Sequence, residues 1–280
     1  MPGTALVTGT SSGIGLETAV ALAKAGFLVV ATMRDQSRRR TLDSRAAEDG
    51  VTLEVRELDV QQSSSVRRGV ADVLERHGRI DVLVNNAGAG YLGAMEQTSE
   101  ATAQRIMDVN YFGTWRMTHA VLPSMRRAGS GHIISVTSIG GLVGQPFNDA
   151  YCASKFAVEG LMESLAPVAQ RLGISVSLIE PGAVHSEFVA SVMHTSEHLT
   201  PELQGAYGAM LNAYTTAAEA TYAAAGQTSA DVAACIVGVA TGQTPGFRHQ
   251  TSALVRGIVA RKYVDPTGDS VVAMSGARLP

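Results

Sequence analysis

The sequence predicts an α/β protein built on a doubly wound parallel sheet, and three observations support this prediction. Short apolar or β-branched runs alternate with longer helical patterns through the first 185 residues. A glycine-rich turn stands between the first of these runs and the first helix. No internal repeat or low-complexity linker divides the 280 residues. Strands separated by helices form parallel sheets covered on both faces, so we expect one domain over residues 1–280.

The apolar runs predict strands, and the stretches between them predict helices. The predicted strands are short and rich in apolar residues: Ala5–Val7, Leu28–Thr32, Val51–Leu58, Ile80–Val84, Ile133–Val136 and Val176–Ile179. The predicted helices carry apolar residues at spacings of three and four: Ile14–Ala25, Ser64–His77, Ala101–Arg127 and Tyr151–Leu172. Gly26 and Gly78 stand where two of these helices are expected to end.

The chain changes character after about residue 185. Residues 185–230 are rich in Ala, Met, Thr and Tyr and lack a strong strand pattern, so we expect a helical substrate lid within the domain. Tyr207, Tyr214 and Tyr222 recur at spacings that place them along one helical stripe. We expect this stripe to pack on the core, and a helix that also covers a pocket would satisfy the same pattern.

Composition excludes several classes of protein. The chain has 22 Lys and Arg against 25 Asp and Glu, a balance that argues against a nucleic-acid or membrane-surface binder. Hydrophobic residues make up 45%, which excludes general disorder. No apolar run approaches the roughly 20 residues that span a bilayer, and no signal peptide is evident, so a cytoplasmic protein is expected. Cys152 and Cys235 are too few for a zinc site, and we expect no metal.

The turn after the first strand is the first sign of a function. Its sequence, Thr-Gly-Thr-Ser-Ser-Gly-Ile-Gly, runs from Thr8 to Gly15 and leads directly into the first helix. Glycines in such a turn let the backbone approach a pyrophosphate, whose charge then lies at the helix N-terminus. The residues expected to contact a dinucleotide here are Gly9, Ser11, Ser12, Gly13, Ile14 and Gly15.

This glycine spacing resembles that of the short-chain dehydrogenase/reductase family, and six later matches to the family follow in order. These matches are Asp59–Val60, Asn85–Gly88, Asn110, Ser138, Tyr151 with Lys155, and Pro181–Gly182. The resemblance implies a Rossmann-like sheet of about seven strands and a nicotinamide cofactor. It assigns further cofactor contacts to Asp59, Val60, Asn86, Ala87, Gly88, Lys155, Pro181, Gly182 and Val184.

The same resemblance implies four catalytic residues for hydride transfer between an alcohol and a ketone. Tyr151 would donate or accept the proton on the substrate oxygen, and Ser138 would donate a hydrogen bond to that oxygen. Lowering the pKa of a tyrosine by about three units needs about 4 kcal/mol. Lys155 lies one helical turn after Tyr151 and would supply much of this free energy. Asn110 would hold a water that links Lys155 to solvent.

The end of the second strand indicates which cofactor is used. Asp35 lies 20 residues after Gly15 and superficially suits the ribose hydroxyls of NAD. In the family, however, the acidic residue that selects NAD stands at the strand terminus, and here Met33 is expected there. Arg34 follows, where members that prefer NADP carry a basic residue, and a guanidinium pairs well with a 2'-phosphate. We therefore favour NADP(H) over NAD(H).

The residues around the predicted tyrosine resemble one branch of the family, which contains 17β-hydroxysteroid dehydrogenase type 1 and retinol dehydrogenases. That resemblance implies a bulky apolar, steroid-like substrate close to Val143, Gly144 and Cys152. The histidine that the steroid enzyme carries in its lid helix has no counterpart near Ala209, so a polar anchor for the steroid is missing.

The sequence therefore predicts an NADP-dependent oxidoreductase that interconverts a secondary alcohol and a ketone on a bulky apolar, steroid-like substrate. Retinoids, smaller ketones and acyl thioesters remain alternatives, as does a regulator that binds NADP without turnover. The helical patterns Ala101–Arg127 and Tyr151–Leu172 each have more apolar surface than one sheet face needs. A homodimer or homotetramer is therefore expected, as in the family.

Overall fold

A computed structural model describes residues 3–185, 192, 200–260 and 265–269. Nine strands are described: β1 (Thr4–Thr8), β2 (Leu28–Met33), β3 (Glu54–Glu57), β4 (Val82–Asn85), β5 (Gly131–Val136), β6 (Ile174–Glu180), β7 (Val184–His185), β8 (Gln227–Thr228) and β9 (Arg248–Gln250). Seven of them form a parallel sheet in the order β3-β2-β1-β4-β5-β6-β9. The chain order reverses between β1 and β4, which is the doubly wound arrangement of a Rossmann-like domain.

Helices cover the sheet on both faces. The described α-helices are α1 (Gly13–Lys24), α2 (Arg40–Glu48), α3 (Ser63–His77), α4 (Glu100–Met107), α5 (Gly113–Ala128), α6 (Asp149–Arg171), α7 (Pro201–Ala225), α8 (Ser229–Ala240) and α9 (Ala253–Val259). Short 3-10 segments occupy Gln36–Arg39 and Ile139–Gly141, and a π-helical segment occupies Asp108–Phe112. Within the described ranges, no helix is both long enough and apolar enough to cross a membrane.

Two apolar clusters form the core, one on each face of the sheet. One packs the buried face of α1, with Leu22, and that of α8, with Ile236, against the sheet. The other joins α3, α5 and α6, with Val70, Met117 and Met162 at its centre. Because the strands are buried on both faces, they read as nearly continuous apolar runs, which is why the sequence predicts most of them.

The prediction of about seven strands in one doubly wound domain is confirmed, although individual elements differ. The run predicted as a strand over Val51–Leu58 pairs only through Glu54–Glu57, because β3 is the short edge of the sheet. The opposite edge strand, Arg248–Gln250, consists of three polar residues and has no apolar pattern to predict it. The helix predicted over Ala101–Arg127 is α4 and α5, joined by the π-helical segment.

Candidate active site

The predicted site residues gather at the carboxyl ends of the central strands. Gly9 follows β1, Asn86 follows β4, Ser138 follows β5 and Pro181 follows β6. In an open parallel sheet, a crevice forms at this edge where the chain order reverses, and ligands bind there. The glycine-rich turn lies beside that reversal, because β1 and β4 are neighbours in the sheet.

The glycine-rich turn is shaped so that its glycines cannot be replaced. Gly9 has a φ of 71°, in the left-handed region, and a Cβ there would lie 2.8 Å from the Cα of Ala87. A Cβ on Gly15 would lie 2.2 Å from the carbonyl oxygen of Gly9. The Asn86 side chain braces the turn by donating to the carbonyl oxygens of Thr8 and Gly9, at 2.9 and 3.1 Å. The turn and the start of α1 thus suit a pyrophosphate.

The surroundings of Arg34 and Asp35 differ in a way that bears on the cofactor. β2 ends at Met33, as the sequence predicts. Asp35 accepts a hydrogen bond from the Ser37 N–H at 2.9 Å, and hydrogen bonds with Ser37 hold the pKa of Asp35 below its usual value. Its carboxylate is therefore already used to cap the 3-10 segment. The Arg34 side chain is exposed and makes no hydrogen bond or ion pair with the residues that the structure describes.

Ser138, Tyr151 and Lys155 lie together where β5 meets α6. Tyr151 and Ser138 share a side-chain hydrogen bond, and the Ser138 Oγ also accepts from the Gly140 N–H at 3.0 Å. The Lys155 ammonium is buried and donates to the carbonyl oxygen of Val136 at 3.0 Å. Its Nζ lies 5.9 Å from the centre of the Tyr151 ring. A hydroxyl pair with a cation beside it is the arrangement that proton transfer to a carbonyl oxygen needs.

The acidities of Tyr151 and Lys155 in the protein alone are governed by burial. Burial raises the pKa of Tyr151 above its usual value, and the hydrogen bond with Ser138 opposes this only in part. That Lys155 supplies much of the stabilisation needed to bring this pKa toward neutrality therefore stays a prediction. Burial also lowers the pKa of Lys155 to about 8, although the nearby Glu159 carboxylate raises it. A pocket that disfavours both charges needs a further positive charge beside the tyrosine before it ionises near neutral pH.

Comparison with known proteins identifies the family. The family model for short chain dehydrogenases matches residues 3–197. The chain belongs to this family. The chain is 42% identical to retinol dehydrogenase 8 of Bos taurus over 286 residues, an alignment that covers 99% of this chain and 90% of that protein. It is 39% identical to 17-beta-hydroxysteroid dehydrogenase type 1 of Homo sapiens, with 95% and 83% of the two chains covered.

The solved structure of a relative has a similar fold. The crystal structure of a variant of actinorhodin polyketide ketoreductase with NADPH is 30% identical to this chain and superposes with a TM-score of 0.75. That alignment covers 88% of this chain and 94% of the ketoreductase. The short-chain dehydrogenase described here is therefore an oxidoreductase that acts on alcohol and ketone groups.

Asn110 of this dehydrogenase lies in the π-helical segment and is fully engaged by its neighbours. Its Nδ2 donates to the carbonyl oxygen of Ala89 at 2.9 Å and to the Ser154 Oγ at 2.8 Å, while its Oδ1 accepts from the Ala89 N–H at 2.8 Å. Ser154 in turn donates to the carbonyl oxygen of Tyr151 at 2.7 Å. The side chain thus ties the loop after β4 to the start of α6. Its role in holding a water stays a prediction.

Two residues that the sequence does not single out organise the dehydrogenase's site. The Thr8 Oγ1 accepts from the N–H groups of both Asn86 and Ala87, at 3.0 Å each, and so fixes the start of the loop after β4. Ser154 links Asn110 to α6. Their only sequence signals are position: Thr8 precedes the glycine-rich turn and Ser154 precedes Lys155.

The other predicted cofactor contacts are spread along the same edge. The Asp59 carboxylate accepts from the Gln61 N–H at 3.0 Å, and Val60 is buried beside the π-helical segment. Gly88 lies next to Lys155, and a Cβ there would be 3.6 Å from the ammonium. The carbonyl oxygen of Pro181 accepts from the Ile139 N–H at 2.8 Å. The remaining members of this group follow the ends of two strands: Ala87 follows β4, and Gly182 and Val184 follow β6.

The predicted substrate residues border the tyrosine. Cys152 is buried next to Tyr151, and burial raises the pKa of its thiol, which makes it a small apolar neighbour rather than a nucleophile. Val143 packs partly against the cluster of Ile139, Leu142, Val255 and Val259. Gly144 is exposed and has open space around its Cα.

The tyrosine stripe of α7 contacts loops around the site, so the expectation that it packs on the core is wrong. Tyr207 donates to Glu96 at 2.7 Å, and the Tyr214 hydroxyl accepts from Asn148 at 3.0 Å. Tyr222 packs edge-on against His185, with 6.1 Å between ring centres. Met210, on the same helix, is 53% exposed.

Proposed function

We propose that this dehydrogenase transfers a hydride between NADP(H) and a secondary alcohol or ketone on a bulky apolar, steroid-like substrate. The observation that carries the proposal is the meeting of Ser138, Tyr151 and Lys155 beside the glycine-rich turn. A proton donor, a hydrogen-bond donor and a cation thus stand at the edge of the sheet where a nicotinamide would reach. The nicotinamide supplies or accepts the hydride.

The protein's own groups handle the proton. In reduction, Tyr151 gives its phenolic proton to the substrate oxygen, and Ser138 donates a second hydrogen bond to the same oxygen. In oxidation, Tyr151 takes the proton of the alcohol. The Lys155 charge stabilises the phenolate that reduction leaves behind, together with the positive charge of the oxidised cofactor. Asn110 keeps the loop after β4 against α6.

Arg34 supports NADP(H) as the cofactor. The guanidinium is exposed and unpaired within the described chain, so it is available for a 2'-phosphate, whereas the Asp35 carboxylate is engaged as a cap. The ketoreductase relative was crystallised with NADPH. Gly9 and Gly13 have positive φ, and a Cβ on Gly15 would clash with the Gly9 carbonyl, so the glycines keep the tight turn that would hold a pyrophosphate.

An apolar substrate is supported by the relatives and by the residues around the tyrosine. The two relatives reported above are named for retinol and for a 17β-hydroxysteroid, both of them large apolar alcohols. Val143 and Cys152 give the pocket wall apolar character. A retinoid is the second candidate, since the relative with 42% identity is a retinol dehydrogenase. We propose a cytoplasmic location and a homodimer or homotetramer for the working protein, the former to be checked by fractionation.

The test is a spectrophotometric assay of the four nicotinamide cofactors against steroids, retinoids, aliphatic ketones and acyl thioesters. Steroid or retinoid turnover with NADPH is expected, and Tyr151→Phe should lower kcat by about a thousandfold or more, because the proton donor is lost. Tyr207→Phe is the matched control, since it removes a phenolic hydroxyl from an exposed hydrogen bond with Glu96 without touching the proton path. Full activity in Tyr151→Phe would contradict the mechanism. NADPH binding without turnover of any substrate would favour a regulator.

A further inference from the structure

A cluster of buried charged side chains lies directly beneath the predicted catalytic lysine. Tyr151, Lys155, Glu159 and Glu163 follow one another at intervals of four residues along α6, so they form one stripe of that helix. Glu159 is buried to the same degree as Lys155. Arg248, on the edge strand β9, reaches the far end of the stripe. The reaction as proposed above uses only the first two members.

One guanidinium holds three carboxylates in this cluster. The Nη1 of Arg248 donates to Glu159 and, at 2.9 Å, to Glu180 at the end of β6. Its Nη2 donates to Glu163 at 2.5 Å. The second oxygen of Glu180 accepts from the Gln250 side chain. Since Glu180 is fully buried and Glu159 nearly so, their charges must be balanced by cations close by.

The single positive charge of Arg248 cannot balance the negative charges of three carboxylates. Lys155 is the buried cation on the stripe itself. The groups that face Glu159 are Lys155 and Glu163 from its own helix, Glu180 from β6, Arg248 from β9 and the uncharged Thr137 hydroxyl after β5. The Glu159 charge raises the pKa of Lys155 against the effect of burial. Burial and Glu180 raise the pKa of Glu159 to about 8, although Arg248 and a hydrogen bond from Thr137 lower it. Glu159 therefore gains its charge over the same pH range in which Lys155 would lose its own.

Glu159 carries one oxygen that the arginine does not satisfy. Its Oε1 is buried and has no hydrogen-bond partner within the described residues that meets normal geometry. Leaving a buried acceptor unpaired is destabilising, so a carboxylate here is not explained by stability alone. The 3-10 segment packs closely over this place, since a Cβ on Gly141 would lie 3.0 Å from the Cγ of Glu159 and 3.2 Å from the Lys155 backbone. The carboxylate is thus confined one turn from the lysine.

We propose that Glu159 is a positioning residue for hydride transfer: held by Arg248, its carboxylate keeps Lys155 in the charged ammonium form from one helical turn away. Removing that charge leaves a buried lysine without a carboxylate on its own stripe nearby, and the neutral amine then becomes more stable. Tyr151 loses the cation that stabilises its phenolate. The catalytic consequence rests on the proposed function, but the charge of Lys155 can be measured in the protein alone.

The chain is suited to a direct measurement, because its only lysines are Lys24, Lys155 and Lys262. Biosynthetic labelling with [13C,15N]lysine yields three side-chain signals, which Lys24→Arg and Lys262→Arg assign. The Lys155 signal is then followed against pH in the full-length protein without substrate. Glu159→Gln should lower its titration midpoint by about one pH unit. Glu163→Gln is the matched control, because it removes a carboxylate from the same arginine one turn further away, and it should leave the midpoint unchanged.

A third variant is expected to shift the Lys155 midpoint in the opposite direction. Glu180 competes with Glu159 for negative charge, so Glu180→Gln should raise the Lys155 midpoint. An unchanged midpoint in Glu159→Gln overturns the proposal, and so does an equal fall in all three variants, which would indicate a loosened fold. Circular dichroism shows whether Glu159→Gln folds. If it does not, Glu180→Gln is the deciding variant, and a Lys155 midpoint that is unchanged or lower in that variant rejects the proposed role of Glu159.

The kinetic consequence separates positioning from a structural role. In ketone reduction, kcat should decline at high pH as Lys155 loses its charge. For Glu159→Gln this decline should begin at a lower pH by the same shift that the lysine signal shows, with KM for the substrate little changed. The lysine signal could shift in Glu159→Gln as expected while the wild-type protein turns over no substrate. That result would count against the proposed function and leave the role of Glu159 standing.

Discussion

Tyr151 and Arg34 show how much one side chain's surroundings decide. Tyr151 is held by Ser138 and sits near Lys155, yet burial alone makes it a weaker acid than free tyrosine. Its reactivity therefore depends on charge brought in with the cofactor. Arg34 stands beside an acidic residue that is engaged in a cap, which leaves the guanidinium exposed at the end of β2.

Arg34→Ala is expected to weaken NADPH binding about 10- to 100-fold, because a charge-assisted contact contributes about 1.5–3 kcal/mol. The KM for NADH should change little, since NADH lacks the 2'-phosphate. Steady-state kinetics with both cofactors measures the difference. Arg40→Ala removes the same charge from an exposed position in α2 and is the control. Equal losses with NADPH and NADH would show that Arg34 does not read the phosphate.

At the scale of single elements, the β1–α1 turn and helix α6 place glycine under opposite constraints. The turn leaves no space at Gly15, where backbone and the Asn86 side chain both lie within 2.3 Å of an added Cβ. Gly160, on the exposed face of α6, has nothing within 4 Å of that position. Replacing glycine by alanine is therefore expected to have opposite effects at these two positions.

Gly15→Ala should abolish detectable NADPH binding and lower the thermal midpoint, because the turn must shift to admit the methyl group. Gly160→Ala, the matched control, should stabilise the protein by up to about 1 kcal/mol, because alanine is the better helix former. Fluorescence titration with NADPH and thermal unfolding measure the two effects. Normal binding by Gly15→Ala would mean that the pyrophosphate does not use this turn.

At the scale of the whole molecule, buried histidines couple the sheet's stability to pH. His132 in β5 has a pKa lowered to about 4, first because it is buried and second because His249 lies nearby. The Ser177 hydroxyl donates to the carbonyl oxygen of Gly246, so it accepts from the His132 Nε2–H, a bond that the neutral and the protonated ring can both make. Burial and His249, and not this bond, disfavour the protonated ring. The unfolded chain binds this proton near pH 6.5, whereas the folded chain resists it.

The free energy of unfolding should therefore fall as pH drops from about 6.5 to about 4, by up to about 3 kcal/mol from His132. Urea unfolding at several pH values measures it. His132→Gln should flatten the dependence in this window, while His119→Gln, at an exposed position, should leave the slope unchanged. A slope that persists in His132→Gln would assign the effect to other groups.

Assembly is also decided at this scale. Phe112 and Trp115, at the start of α5, are 45% and 46% exposed and lie next to one another across Tyr111. We expect this apolar face to be covered in a homodimer or homotetramer. Because Trp115 is the chain's one tryptophan, its fluorescence should shift to shorter wavelength as the protein assembles.

Sedimentation is expected to show an oligomer for the wild-type protein and a monomer for Trp115→Glu, since a buried unpaired charge disfavours the interface. Leu28→Glu, at an exposed apolar residue at the start of β2, is the control and should remain oligomeric. A wild-type protein that sediments as a monomer at micromolar concentration would contradict the assembly.

The sequence by itself determined the features that are local along the chain. The glycine spacing from Gly9 to Gly15 and the pairing of Tyr151 with Lys155 depend only on short intervals and helical geometry. Buried parallel strands can likewise be recognised in the sequence as apolar runs. These features predicted the doubly wound sheet, and together with the resemblance to short-chain dehydrogenases they indicated the residues of the candidate site.

Only the tertiary structure decided the contacts between distant parts of the chain. Arg248 belongs to a three-residue polar strand with no pattern of its own, and it meets Glu159 across 89 positions. The tyrosines of α7 have a helical spacing that fits a core or a lid equally, and only their partners Glu96, Asn148 and His185 distinguish the two. Periodicity records which face of an element is apolar, whereas the partner of a buried charge is chosen by the packing of the whole fold.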